Sequence, residues 1–138
     1  MATINMQIMR YINLLDKISH VKTSQCFMHN NSIFFAVKER EISKAIGPAA
    51  INVKRMQEQI GKRVKIIKIS EGVEDVQRFI RDIVAPVRIK SIEVKDGCVA
   101  VTAGSSQNKA ALIGRNRRRY DELSRIVKDF FGLDLKIL

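Results

Sequence analysis

Tryptophan is absent from this chain, cysteine and histidine occur only twice each, and no apolar run approaches the roughly 18 to 20 residues of a membrane-crossing helix. The N-terminus lacks the basic, apolar, small-residue order of a signal peptide, so a cytoplasmic protein is expected. Cys26 and Cys98 lie in hydrophobic surroundings, which suits two buried thiols in a reducing compartment. Cys26-Phe27-Met28-His29 supplies half of a zinc site, but only Cys98 and His20 remain to complete it, and no metal is expected. Two histidines, scattered carboxylates and no glycine-rich nucleotide loop followed by Lys and Ser/Thr assemble into neither an acid-base pair nor a nucleophile. No catalytic residue and no cofactor are therefore expected. Lipidation motifs are missing too, and the apolar faces are those a core needs, so no membrane attachment is expected.

Acidic residues are also few. The 14 Asp/Glu face 25 Lys/Arg, for a net charge of +11 and a pI of about 10.1, which points to a polyanionic partner, nucleic acid before an acidic membrane surface. With 46% hydrophobic and 28% charged residues the chain has enough apolar mass to fold. Its 138 residues make one ordinary domain or two small ones, since small cores manage on roughly 60 to 70 residues.

Periodicity then sets out the elements. Asn5 to Ser19 places Ile8, Tyr11, Ile12 and Leu15 on one helical face. Val21 to Met28 and Ile33 to Val37 read as strands joined by the turn formers His29-Asn30-Asn31-Ser32. Glu39 to Ile46 reads as a short helix stopped by Gly47-Pro48, and Ile51 to Ile60 as a second helix with Val53, Met56 and Ile60 inward. Gly61 ends it, and Val64 to Ile69 alternates with lysines as a strand would. The order is α-β-β-α-α-β.

After Ser70-Glu71-Gly72 that order begins again. Val76, Phe79, Ile80 and Ile83 stand 68 residues beyond Ile8, Tyr11, Ile12 and Leu15. Pro86 ends the helix, and Val87 to Val94 and Cys98 to Thr102 form a hairpin around Asp96-Gly97. Ile46-Gly47 returns as Ile113-Gly114 at a spacing of 67, and Val53, Met56 and Ile60 return as Tyr120, Leu123 and Val127. The closing Gly61, Val64, Lys65 and Ile66 return at 71, as Gly132, Leu135, Lys136 and Ile137. A slip of four residues is close to one helical turn, so it lengthens the last helix without rotating its apolar face. Two tandem copies are expected, residues 1–70 and 71–138, packed rigidly together across a very short linker.

The most distinctive stretch is Lys109 to Tyr120, KAALIGRNRRRY. An apolar helical turn runs into Gly114, then into Arg115, Arg117, Arg118 and Arg119, before a second helix begins. A glycine brings no side chain to hold a ligand off, a new helix offers unpaired amides, and arginine forks match phosphate oxygens. The same stretch taken singly also reads as a solvated charged face.

The element order, with Ile-Gly-x-x between paired helices, resembles the KH domain in its prokaryotic, type II arrangement. As a tandem pair the chain is similar to the archaeal NusA-like transcription factors. The resemblance rests on Ala45-Ile46-Gly47-Pro48-Ala49-Ala50-Ile51-Asn52-Val53-Lys54-Arg55, Gly61-Lys62-Arg63-Val64-Lys65-Ile66 and Ala111-Leu112-Ile113-Gly114-Arg115-Asn116-Arg117. In that family a Gly-x-x-Gly loop clamps the backbone of about four single-stranded nucleotides while the bases lie in an adjacent apolar groove. The resemblance thereby assigns RNA binding to Gly47, Pro48, Ala49 and Ala50, flanked by Lys54 and Arg55, and to Gly114, Arg115, Asn116, Arg117 and Arg118.

Both loops depart from the pattern at the fourth place, where Ala50 adds a methyl and Arg117 adds bulk and charge; Pro48 also removes an amide donor. The second loop is expected to keep phosphate contact and the first to be weakened or structural. Yet residues 1–70 carry 12 Lys/Arg against 4 Asp/Glu, net +8, and residues 71–138 carry 13 against 10, net +3. Phe27, Phe34, Phe35, Phe79, Phe130 and Phe131 sit at core positions, which leaves base contacts to aliphatic side chains and backbone.

The expected function is a non-enzymatic factor that binds single-stranded nascent RNA and modulates transcription termination or antitermination. The expected protein is a monomer, with RNA polymerase or ribosome components as further partners. Neither the N-terminal polymerase-binding domain nor the S1 domain of bacterial NusA is expected in these 138 residues. The alternative is a KH-fold protein-docking or ribosome-associated module without a strong grip on RNA.

Overall fold

The computed structural model describes residues 5–138, and the start of the first expected copy at residue 1 lies outside them. The fold is α+β, with six α-helices and two three-stranded sheets among the described residues. The chain divides into two compact units, residues 5–69 and 70–138.

In the first unit, α1 (Met6–Ser19) is followed by β1 (Gln25–His29), β2 (Ser32–Val37), α2 (Ile42–Ile46), α3 (Ile51–Ile60) and β3 (Arg63–Lys68). Asn5 starts α1 by accepting the Ile8 N–H through Oδ1 at 2.9 Å. Strands β1 and β2 pair antiparallel around Asn30 and Asn31, both at positive φ as a two-residue hairpin turn requires. Strand β3 lies parallel to β2, with Ile33 opposite Val64. Leu15, Val21, Ile33, Phe35, Ala45 and Met56 form the buried core, against which Val53 and Ile60 pack half-buried. The strand expected from Val21 begins only at Gln25. Before it, Ser19 Oγ accepts from Val21 N at 3.3 Å, and Thr23 Oγ1 donates to Ala36 O while accepting from Gln25 N. Side-chain hydroxyls take these backbone bonds in place of a ladder.

In the second unit, α4 (Val76–Val84) is followed by β4 (Ser91–Lys95), β5 (Cys98–Thr102), α5 (Ser106–Ile113), α6 (Arg118–Phe131) and β6 (Asp134–Ile137). Strands β4 and β5 pair antiparallel, and β6 lies parallel to β5 with Val99 opposite Leu135. Val76, Phe79, Ile80, Ile83, Leu112, Leu123 and Val127 are buried, and Phe79 meets Phe130 and Phe131 edge-on. Strand β4 starts at Ser91 rather than Val87, because the Val87 N–H turns back to Val84 O at 3.0 Å. The four-residue slip of the repeat is visible as length: α3 has 10 residues and α6 has 14, each closed by a left-handed glycine, Gly61 and Gly132.

The six phenylalanines serve packing; Phe27 and Phe34, for example, stack with centroids 5.3 Å apart. Cys26 is buried in the first core and Cys98 is half-buried; both are free. Among the described residues no helix is long and apolar enough to cross a membrane.

Candidate functional site

Each unit carries the same corner between its paired helices. Helix α2 ends at Gly47 (φ 79°, ψ 167°), whose N–H reaches Ser43 O at 2.9 Å. After Pro48 come two left-handed residues, Ala49 (φ 54°, ψ 30°) and Ala50 (φ 59°, ψ 29°), and the Ala50 N–H returns to Gly47 O at 3.1 Å. Helix α5 ends at Gly114 (φ 75°, ψ 172°), with its N–H on Ala110 O at 2.9 Å. Asn116 (φ 56°, ψ 29°) and Arg117 (φ 60°, ψ 22°) are again left-handed, and the Arg117 N–H returns to Gly114 O at 3.2 Å. Two unrelated tetrapeptides, GPAA and GRNR, thus trace one backbone path. A left-handed non-glycine residue costs about 1–2 kcal/mol, and here the cost falls on two in succession. The fourth place, where the family pattern has glycine, keeps the conformation that glycine favours although it holds Ala50 and Arg117.

A clasp closes each corner. Asn52 Nδ2 donates to Lys44 O at 3.0 Å, and Arg119 Nη1 donates to Ala111 O at 3.0 Å. Donors and acceptors correspond at the 67-residue spacing. The clasp side chain lies over the corner glycine. A Cβ on Gly47 would stand 2.8 Å from Asn52 Cγ, and one on Gly114 would stand 2.7 Å from Arg119 Cγ. The missing side chain of each glycine therefore makes room for the clasp, where the sequence alone suggested room for a ligand. Arg119, read as one of four phosphate donors, holds its own backbone and is half-buried.

The remaining side chains divide the corners chemically. Arg115, Asn116, Arg117 and Arg118 are exposed, so the second corner presents three cations around one polar amide. Pro48 and Ala49 are exposed, Ala50 is half-buried and Ile51 is 42% exposed, so the first corner presents an apolar tip. Its cations, Lys44, Lys54 and Arg55, stand exposed on the flanking helices. The ion pairs Lys68–Glu39 (3.9 Å), Lys128–Asp134 (3.4 Å) and Arg78 with Asp75 and Asp82 all lie away from these corner cations.

Beside the second corner opens a cavity of about 350 Å³, lined by Ile113, Arg117, Tyr120, Lys136 and Ile137. The Arg117 guanidinium lies 4.7 Å over the Tyr120 ring, whose hydroxyl donates to Leu135 O at 2.9 Å. Asn52, Tyr120 and Lys136 were missed as site residues, and Arg119 was read as a phosphate donor where it is a clasp. The repeat marked their positions, but nothing local in the sequence marked their contacts.

Two units of α-β-β-α-α-β order, each with a glycine-led corner between paired helices, make an α+β protein whose architecture is consistent with a KH-like fold. A solved structure, the crystal structure of APE1850, superposes with a TM-score of 0.68 at 25% identity, over 98% of this chain and all of that one. The chain is similar to archaeal proteins described as probable NusA. A probable transcription termination protein NusA from Methanocaldococcus jannaschii is 31% identical over 120 residues, 85% of this chain and 64% of that protein. Another of the same description from Methanococcus vannielii is 33% identical over 84 residues, 61% of this chain and 47% of that protein. A third, from Halococcus morrhuae, is 22% identical over 96% of this chain and 95% of its own length. The matched stretch thus spans less than two thirds of the first two relatives. No family model matches the chain.

Proposed function

We propose that the chain is an RNA-binding transcription factor of the NusA type, formed by two tandem type II KH domains, residues 1–70 and 71–138. It takes hold of single-stranded nascent RNA and so modulates termination or antitermination. The observation that carries this reading is the repeated corner: one strained backbone path held twice by the same clasp, with three exposed arginines gathered on its second occurrence. Strain of this kind is kept at binding sites, where a fixed shape is worth its cost. The description shared by the three archaeal relatives supports the placing in transcription.

In this reading Gly114, Arg115, Asn116, Arg117 and Arg118 hold the sugar-phosphate backbone. Arg115 keeps the amide donor that Pro48 lacks, and the guanidinium forks supply charge-assisted bonds to phosphate. Gly47, Pro48, Ala49 and Ala50 guide the strand by shape, while Lys54 and Arg55 attract it. The protein works in the cytoplasm as a monomer, without catalysis, metal or cofactor, and RNA polymerase or ribosome components are its further partners.

Anisotropy titrations of labelled single-stranded RNA at several salt concentrations test this. Affinity should fall steeply with salt, with a log-log slope of about −0.7 for each phosphate neutralised. Salt-independent binding, or none to single strands, rules the reading out.

A second reading, a protein-docking module, draws on the apolar first corner with its exposed Pro48, Ala49 and Ile51. Joint charge reversal at Arg115, Arg117 and Arg118 separates the two, because an RNA holder loses its RNA while a docking module keeps its partner.

A further inference from the structure

The KH-like groove was expected to meet bases mainly with aliphatic side chains and backbone groups. The second unit departs from this. Tyr120 is half-buried at the wall of the 350 Å³ cavity, and the bond from its hydroxyl to Leu135 O fixes the ring's orientation. Arg117, itself one of the corner residues, extends from the exposed tip to lie 4.7 Å over that ring. Ile113 and Ile137 supply apolar walls, and Lys136 adds a cation. The volume is at the small end of ligand sites, roughly 300–1,000 Å³. At the corresponding positions the first unit has Ala50 for Arg117 and Val53 for Tyr120, so it has neither the ring nor the guanidinium.

We propose that this cavity is a single-base subsite, in which one nucleobase of a bound single strand stacks at the Arg117–Tyr120 pair. The inference rests on the RNA-binding reading above and adds a base contact to its phosphate contacts. A guanidinium plane and an aromatic ring are both stacking surfaces for bases, and both tolerate any base. The pair thereby ties the two tasks together: the residue at the fourth place of the corner reaches from the phosphate path to the base wall. Only the second unit carries the device, so stacking at this position occurs once per molecule.

The chain has two tyrosines, Tyr11 and Tyr120, and no tryptophan, so Tyr11→Phe leaves Tyr120 as the only tyrosine emitter. The probes are a single-stranded oligoribonucleotide and a fully abasic strand of equal length and charge. The oligoribonucleotide should quench Tyr120 emission on binding, and the abasic strand should bind through its phosphates without quenching. Tyr120→Leu should weaken binding of the base-bearing strand by about 5- to 150-fold and leave the abasic strand within about twofold. Tyr120→Phe keeps the ring but loses the bond that orients it, and should fall between wild type and Tyr120→Leu. Arg117→Lys keeps the charge but loses the flat face, and should shift in the direction of Tyr120→Leu.

If the oligoribonucleotide binds with Tyr120 emission unchanged, the base subsite is overturned while the RNA-binding reading stands, whether or not Tyr120→Leu folds. If the wild-type protein binds neither strand, that reading falls and takes the subsite with it.

Discussion

Arg119 Nη1 donates to the carbonyl of Ala111 at 3.0 Å, across the bend that joins α5 to α6, and so ties the last turn of one helix to the first turn of the next. Asn52 ties Lys44 in the same way. Removing the tie by Arg119→Ala should destabilise the second unit by about 0.5–1.5 kcal/mol, the usual net worth of such a bond. Arg119→Asn, which copies the first corner, should recover part of that loss. Urea unfolding of the three proteins decides it, and equal stability of Arg119→Ala and wild type would show that the clasp holds nothing.

Gly114→Ala should be more damaging than Arg119→Ala. The added methyl meets Arg119 Cγ at 2.7 Å, and the residue must also keep a φ of 75°. Those angles lie in a region essentially confined to glycine, so a loss of about 1–3 kcal/mol is expected from the backbone alone. The same urea series measures it.

Ala50→Gly should act in the opposite direction. Ala50 holds φ 59° against its preference, so glycine relieves about 1–2 kcal/mol of strain and gives back about 0.5–1 kcal/mol in chain entropy. A net gain of up to about 1.5 kcal/mol is expected. A clear loss of stability would mean that the methyl packs against something it needs.

Because the two corners share one backbone path, their side chains should be transferable. Writing Arg-Asn-Arg in place of Pro48-Ala49-Ala50 would move two of the second corner's three cations onto the first without changing its shape. Under the proposed function, single-stranded RNA should bind more tightly and with a steeper salt dependence, by about 0.7 in log-log slope for each phosphate gained. An unchanged slope would show that the first corner lies off the path of the strand.

Cys26 offers a check on the first core. Burial pushes its thiol up from 9.0 to about 12. In the folded protein it should resist alkylation at pH 8 and react only on unfolding, whereas the half-buried Cys98 should react sooner. The unfolded thiol releases its proton first as pH rises, so folding stability should be unaffected below about pH 9 and fall between about pH 9 and 12. Unfolding midpoints across that range test this, with Cys26→Ala as the control lacking the slope.

Much of the fold could be read along the chain. Helix α3 runs from Ile51 to Ile60 and β5 from Cys98 to Thr102, as periodicity and turn residues had indicated. The four-residue slip predicted a longer last helix, and α6 is four residues longer than α3. The start of β1 was not legible in the same way. Val21 belongs to the buried core, as its apolar character suggested, but the hydroxyls of Ser19 and Thr23 take the backbone groups there, and the ladder begins at Gln25.

Sequence by itself determined the element order, the positions of both corners and which corner carries the cations, because helix and strand periods, turn residues and charge are local properties. Tertiary structure alone decided what the corner side chains do. Asn52 and Lys44 are eight residues apart, as are Arg119 and Ala111, and each pair meets only because the chain reverses between two helices. Tyr120 and Leu135 stand 15 residues apart and meet only because β6 returns beside α6. No local pattern records such contacts. An arginine that clasps its own backbone and an arginine free to hold a phosphate look alike until the fold brings one of them to a carbonyl.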